Sequence, residues 1–144
     1  RLPSLMADRL LEILDQEGVQ PFPDTLAALE AAERSNLDLA VVSNSEGWRL
    51  DAILSAAGIK DRFSVVVSSD DVTHPKPAPD VYLLAAERLG VPPLRCVVVE
   101  DTPIGVSAGR AAGMRVVAVV RGLVPAEELT HATKVVPSLD RALD

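Results

Sequence analysis

Three short polar groups in this sequence have side chains suited to chemistry, and the first is Ser43-Asn44-Ser45. This group follows an apolar run and precedes a helix-like pattern. Its hydroxyl and amide groups can cap the following helix by accepting hydrogen bonds from free backbone N–H groups. The same groups, together with those N–H groups and the helix dipole, can bind an anion. Both interpretations stay open for this group.

The second group surrounds Lys76, which lies in the proline-rich stretch His74 to Pro79. The alternating prolines restrict the backbone to a geometry near polyproline II. A lysine in a loop is usually only solvated. A stiff frame that holds one cation is also a suitable way to place positive charge beside a phosphoryl group.

The third group is Glu100-Asp101, at the end of the most hydrophobic run of the chain. Asp101 or Thr102 can cap the next helix, with Pro103 in its first turn. Alternatively, the adjacent carboxylates can hold Mg²⁺ through one or two oxygens, with water completing the coordination.

Short β-branched runs alternate with helical patterns along most of the chain, and this alternation indicates how the three groups are positioned. Such runs, without polar alternation, are typical of a parallel sheet covered on both faces. We therefore predict an α/β fold with a doubly wound, Rossmann-like parallel sheet. Ligands of such sheets bind at the carboxyl ends of the strands, where all three groups fall. Near the start, the spacing of Met6, Leu10 and Leu14 predicts a helix from about Pro3 to Glu17.

Composition excludes several classes of protein. The 144 residues are 48% hydrophobic with a net charge of −7, which is typical of one folded domain. Because no basic patch and no membrane-length apolar run occur, we expect neither nucleic acid nor a membrane as partner. The single cysteine, Cys96, lies in a strand-like run and indicates core packing. A soluble, cytoplasmic protein is the expectation.

Aromatic and glycine residues receive packing roles. Trp48 and Tyr82 are interpreted as packing residues on helices. Gly105, Gly109 and Gly113 recur within one helix, which differs from the turn that binds dinucleotides. Close packing of helix against sheet, with Gly113 as the helix stop, explains them better.

Taken in order, the three groups resemble motifs of the haloacid dehalogenase superfamily. The segments are S-N after a strand, K-P-A-P-D, and V-V-V-E-D-T-P-I-G-V-S-A-G-R-A-A-G-M. The subgroup that contains β-phosphoglucomutase and phosphoglycolate-type phosphatases is the most similar, and the resemblance runs from about Pro21 to the end of the chain.

The resemblance implies roles for the residues that match. Ser43 and Asn44 would bind and orient a phosphoryl group, with Ser45 beside them. Lys76 would neutralise charge on the nucleophile and on the phosphoryl group. Asp101 would bind Mg²⁺, with Glu100 in direct or indirect support. The implied reaction is hydrolysis of a small phosphorylated metabolite through an aspartyl-phosphate.

The family's first motif, D-x-D-G-T/V, has no counterpart in the sequence. We therefore expect residues 1–18 to be the remnant of a helical cap and residues 19–144 to be a core without its first, central strand. The 144 residues alone should then be inactive, as part of a longer protein.

Two alternatives to the phosphatase remain. A phosphosugar mutase shares every motif present, and a relative that has lost its nucleophile would bind Mg²⁺ or phosphate without turnover. Two others are disfavoured: a signalling receiver domain, because its acidic pair comes first and its lysine last, and a dehalogenase, because Glu100-Asp101 resembles a metal site that it does not need. The sequence does not specify the oligomeric state.

Overall fold

A six-stranded parallel sheet forms the centre of the molecule. The computed structural model describes residues 4–7 and 23–139. The strand order is β3-β2-β1-β4-β5-β6, and all neighbouring strands are parallel. The strands are β1 Ser4–Ala7, β2 Leu39–Val42, β3 Val65–Val67, β4 Cys96–Glu100, β5 Arg115–Val119 and β6 Lys134–Val136.

Four α-helices connect and cover these strands. They are α1 Pro23–Arg34, α2 Gly47–Ala56, α3 Asp80–Leu89 and α4 Pro103–Ala111. Short 3₁₀ turns occupy Lys60–Arg62, Ser69–Asp71, Pro93–Arg95 and Ala126–Leu129. The sequence pattern near Pro125 to Leu129 predicts a helix, but the structure has the last of these 3₁₀ turns there.

Two hydrophobic clusters flank the sheet, which confirms the doubly wound arrangement. One contains Leu29 of α1 and Leu54 of α2 together with Val99 of β4. The other contains Ala85 of α3 and Val106 of α4, together with β-strand residues that include Val98, Val116 and Ala118. Because neighbours along a strand point to opposite faces, Val98 and Val99 belong to different clusters.

The helix predicted from Pro3 to Glu17 is wrong at residues 4–7, which form β1. This strand pairs with β2 and β4, and Ala7 lies opposite Val41 and Val99. It occupies the middle of the sheet, where we expected a missing strand. Residues 4–7 therefore lie in the core sheet, contrary to their assignment to a cap remnant, and they occupy the position of the strand that was expected to be missing. Residues 8–22 lie outside the described part, so the rest of the predicted cap remnant, up to residue 18, stays a prediction.

The helix ends follow the glycine signals. Gly90 caps α3 with a φ of 69° and Gly113 follows α4 with a φ of 78°, both left-handed conformations that glycine adopts without steric cost. In the parts of the chain that the structure describes, no helix is long and apolar enough to span a membrane.

Candidate functional site

The structure brings the three polar groups together at the carboxyl edge of the sheet. Ser43 directly follows β2, and Glu100 is the last residue of β4. The backbone N–H of Lys76 donates to Asn44 Oδ1 at 3.1 Å, and Lys76 Nζ donates to Glu100 Oε2 at 3.0 Å. Two hydrogen bonds therefore connect loops that lie far apart in the sequence.

The serine group does not cap α2 in the way its sequence suggests. Ser43 is buried, and its Oγ accepts from the backbone N–H of Ser45 at 3.0 Å, within the turn that precedes the helix. The N–H of Gly47, at the start of α2, instead donates to Asp70 Oδ2 at 2.8 Å. Sequence reasoning missed Asp70, because no local pattern links residues 23 positions apart.

Lys76 and Glu100 form a buried ion pair. Their side chains are 2% and 0% exposed. Burial lowers the pKa of Lys76, because desolvation penalises the ammonium group more than the negative charges of Glu100 and Asp101 support it. An ammonium group in such surroundings acts strongly on nearby charge, since little water screens it.

Tyr82 forms a hydrogen bond to this ion pair, a contact that the sequence does not predict. The ring is fully buried in the core, as predicted, but its hydroxyl donates a short hydrogen bond to Glu100 Oε2. Burial, followed by the charge and hydrogen bond of Glu100, raises the pKa of Tyr82 well above 10.0. The phenol therefore stays a proton donor to the carboxylate at neutral pH.

Asp101 lies beside this cluster and is 5% exposed. It does not serve as the helix cap, since Thr102 takes that position and accepts from Gly105 N at 3.3 Å, with Pro103 next in the chain. The capping interpretation thus holds for Thr102. Asp101 stays the candidate for a metal.

The pair Glu100 and Asp101 fits Mg²⁺ in combination with a phosphorylated ligand. Within the described part of the chain, Glu100 Oε1 has no hydrogen-bond partner. No group of three or more His, Cys, Asp or Glu side chains arranged for a metal occurs in residues 4–7 and 23–139. Mg²⁺ needs only one or two carboxylates when water and phosphate oxygens complete its shell, so two are sufficient.

The glycines of α4 pack against the sheet, as predicted. A Cβ on Gly105 would lie 2.0 Å from the Glu100 carboxylate, and one on Gly109 would lie 2.7 Å from Val116 Cγ2. Gly105 therefore provides the space in which the Glu100 side chain lies.

Trp48 corrects a further prediction. It was assigned to packing but is 70% exposed, with its indole N–H donating to Glu46. Cys96 is buried in β4, as expected for a core residue.

Comparison with known proteins shows the family of the chain. The family model described as haloacid dehalogenase-like hydrolase matches residues 3–119. Fructose-1-phosphate phosphatase YqaB of Escherichia coli (strain K12) is 42% identical over 98 residues, 68% of this chain and 51% of the relative. Protein CbbY of Rhodobacter capsulatus is 34% identical over 137 residues, 93% of this chain and 60% of the relative.

A solved structure shares the fold. The crystal structure of β-phosphoglucomutase from Clostridium difficile superimposes with a TM-score of 0.76 at 26% identity, covering 91% of this chain and 55% of that one. The chain has an α/β sheet with a lysine and an acidic pair at its carboxyl edge, and the proteins that it resembles include a sugar-phosphate phosphatase and a β-phosphoglucomutase. The chain belongs to the haloacid dehalogenase-like hydrolase family. It spans little more than half the length of the relatives YqaB and CbbY.

Proposed function

We propose that this chain belongs to a Mg²⁺-dependent phosphatase that hydrolyses a small phosphomonoester through an aspartyl-phosphate. The observation that carries the proposal is the buried cluster of Lys76, Glu100 and Asp101 at the carboxyl edge. Phosphoryl transfer depends mainly on positioning and on neutralising spread negative charge. A buried ammonium group beside two carboxylates supplies that combination, and the name of the relative YqaB is that of a sugar-phosphate phosphatase.

Each residue has a proposed task. Lys76 neutralises charge on the phosphoryl oxygens, while the Ser43 hydroxyl and the Asn44 amide orient the group, with Ser45 beside them. Asp101 holds Mg²⁺, and Glu100 supports both the ion and Lys76. When bound, the ion neutralises phosphoryl charge as a Lewis acid. The inactivity of residues 1–144 alone and a cytoplasmic location stay predictions.

Replacement of the metal-site carboxylate tests the proposal. In the whole protein with Mg²⁺ and p-nitrophenyl phosphate, Asp101→Asn should lower hydrolysis about 10²-fold or more. Asp51→Asn is the matched control, because Asp51 lies on α2 and forms an exposed ion pair with Lys60. A wild-type protein without phosphatase activity, or an Asp101→Asn variant with full activity, would contradict the proposal.

A phosphosugar mutase is the second candidate, favoured by the structural similarity to β-phosphoglucomutase. The two activities differ in the fate of the phosphate. Incubation with a hexose 1-phosphate, followed by ³¹P NMR, should show free phosphate for a phosphatase and a new sugar phosphate for a mutase.

A further inference from the structure

Tyr82 has a polar group that packing alone does not explain. The residue is 0% exposed and lies in the hydrophobic cluster of α3 and α4. Phenylalanine would fill a similar volume without the cost of burying a hydroxyl, which needs a partner away from water. The hydroxyl therefore points to a function at the place where it makes its bond.

That bond connects Tyr82 to both members of the buried ion pair. The hydroxyl donates to Glu100 Oε2, the same oxygen that accepts from Lys76 Nζ at 3.0 Å. The tyrosine ring also lies beneath the ammonium group, with Nζ 5.7 Å from the ring centroid, within the range of a cation–π interaction. One side chain thus contacts the carboxylate through its hydroxyl and the ammonium group through its ring.

Gly105 lies against the same carboxylate from the side of helix α4 and leaves it little space. A Cβ there would lie 2.0 Å from Glu100 Cδ and Oε1, so the carboxylate packs directly on the backbone of α4. Helix α4 supports the carboxylate, while the Tyr82 hydroxyl selects the oxygen that faces Lys76. Without this hydroxyl, the Lys76 ammonium group is the one remaining donor to Oε2 among the hydrogen bonds described.

We propose that Tyr82 is a positioning residue, which fixes the Glu100 carboxylate and through it the Lys76 ammonium group that binds the phosphoryl group. The inference rests on the proposed function of this site. Because the hydroxyl also donates to Oε2, the attraction of this oxygen for Lys76 is weaker. Glu100 then holds Lys76 in place while part of the ammonium charge stays available to the phosphoryl group. Removing the hydroxyl takes one of the two donors from Oε2 and draws the ammonium group toward the carboxylate.

A double-mutant cycle tests this chain of contacts. The whole protein is compared as wild type, Tyr82→Phe, Glu100→Gln and the double variant, with inorganic phosphate as ligand in excess Mg²⁺ and calorimetry as readout. Tyr82→Phe should weaken phosphate binding roughly tenfold, the size of one charge-assisted hydrogen bond. In the Glu100→Gln background the same change should have about a twofold effect or less, because the acceptor charge is gone.

Ser64→Ala is the matched control, since it removes a hydroxyl that donates to Leu39 O at 3.2 Å, at the start of β2 and away from the site. It should leave phosphate binding unchanged. Equal effects of Tyr82→Phe in both backgrounds would indicate a structural role and overturn the inference. Wild-type affinity in Tyr82→Phe would overturn it as well, while leaving the proposed function intact. A wild-type protein that binds no phosphate would remove both.

A spectroscopic measurement avoids dependence on the folding of Glu100→Gln. Tyr82 is the single tyrosine of the 144 residues, so 3-fluorotyrosine enters this part of the protein at one position. Tyr82→Phe identifies its ¹⁹F resonance in the whole protein. Addition of phosphate should shift that resonance, because the ligand changes the field at Lys76 beside the ring. An unchanged resonance at saturating phosphate would contradict the positioning role.

Discussion

Among the ion pairs of the described residues, two that connect distant elements differ in geometry. On the flank, Arg121 holds Asp24 of α1 with two bonds, Nη1 to Oδ2 at 2.8 Å and Nη2 to Oδ1 at 3.1 Å. The backbone N–H of Leu139 adds a third bond to Oδ2 at 2.9 Å. This pair keeps some contact with water, since the side chain of Arg121 is 12% exposed and that of Asp24 is 19% exposed.

At the carboxyl edge, Lys76 and Glu100 are more deeply buried but make a single direct contact between their charged groups. Burying two charges costs several kcal/mol each, a cost that the direct Lys76–Glu100 contact and the hydrogen bond from Tyr82 have to offset. The geometry of the flank pair is therefore that of an ion pair that stabilises the fold. We expect the edge pair to contribute less to stability and to keep an ammonium group away from water.

Lys76→Met should have the largest effect, because it removes the proposed charge partner of the phosphoryl group. We expect hydrolysis of p-nitrophenyl phosphate by the whole protein to fall about 10²- to 10³-fold. Stability should also fall, by about 3 kcal/mol, since Glu100 is left buried without its counter-charge.

The triple variant Lys76→Met, Glu100→Leu, Tyr82→Phe separates the two effects, because it removes both charges and also the hydroxyl that donates to Glu100. It should recover the stability in urea unfolding, to within about 1 kcal/mol of wild type, and remain inactive. An active triple variant, or one as unstable as Lys76→Met, would contradict the contrast between the pairs.

Gly105→Ala should disturb the edge pair without changing any charge. Alanine favours a helix by about 1 kcal/mol over glycine, yet its Cβ would occupy the position of the Glu100 carboxylate. We expect an activity loss of about tenfold and a net decrease in stability. Ser107→Ala on the same helix is the control, because Ser107 contacts only the exposed His131 among the described side-chain bonds. Unchanged activity in Gly105→Ala would show that the carboxylate position does not matter.

Much of the fold and the residues of the edge site could be predicted from the sequence. Runs such as Val65–Val67 have β-branched residues without polar alternation, which identifies buried parallel strands. Gly90 and Gly113 mark helix ends because only glycine adopts their backbone angles without strain. Because Ser43, Lys76 and Glu100-Asp101 follow strand-like runs, they were expected at one shared edge of the sheet.

The predictions from the sequence are wrong where tertiary contacts determine the structure. Ser4–Ala7 forms a strand because β2 and β4 supply hydrogen-bond partners on both sides, although Met6 fits a helical spacing with later leucines. Tyr82 at helical spacing predicts packing, and nothing local indicates that its hydroxyl meets a carboxylate 18 residues away. Such partners are set by tertiary structure.

Asp24→Asn should have a smaller effect, confined to stability. Asparagine keeps an oxygen that can accept from Leu139 N but loses the charge that Arg121 pairs with. We expect the free energy of unfolding in urea to fall by about 1–2 kcal/mol at neutral pH. Phosphatase activity should not change, because Asp24 lies outside the Lys76 cluster. An activity loss without a stability loss would reverse the roles of the two pairs.

The smallest expected effect is the pH dependence of the difference in free energy of unfolding between wild type and Asp24→Asn. Burial acts to raise the pKa of Asp24, but the bonds and charge of Arg121 and the N–H of Leu139 outweigh it and lower the pKa below 3.8. A lowered pKa means that the carboxylate's contribution is fully present above 3.8 and is lost as the pH falls through the folded-state value. When wild type and Asp24→Asn are compared from about pH 5 down to about pH 2, the difference between their free energies of unfolding should therefore become smaller. A difference that stays constant would mean that Arg121 contributes through packing of its side chain and not through the charge of Asp24.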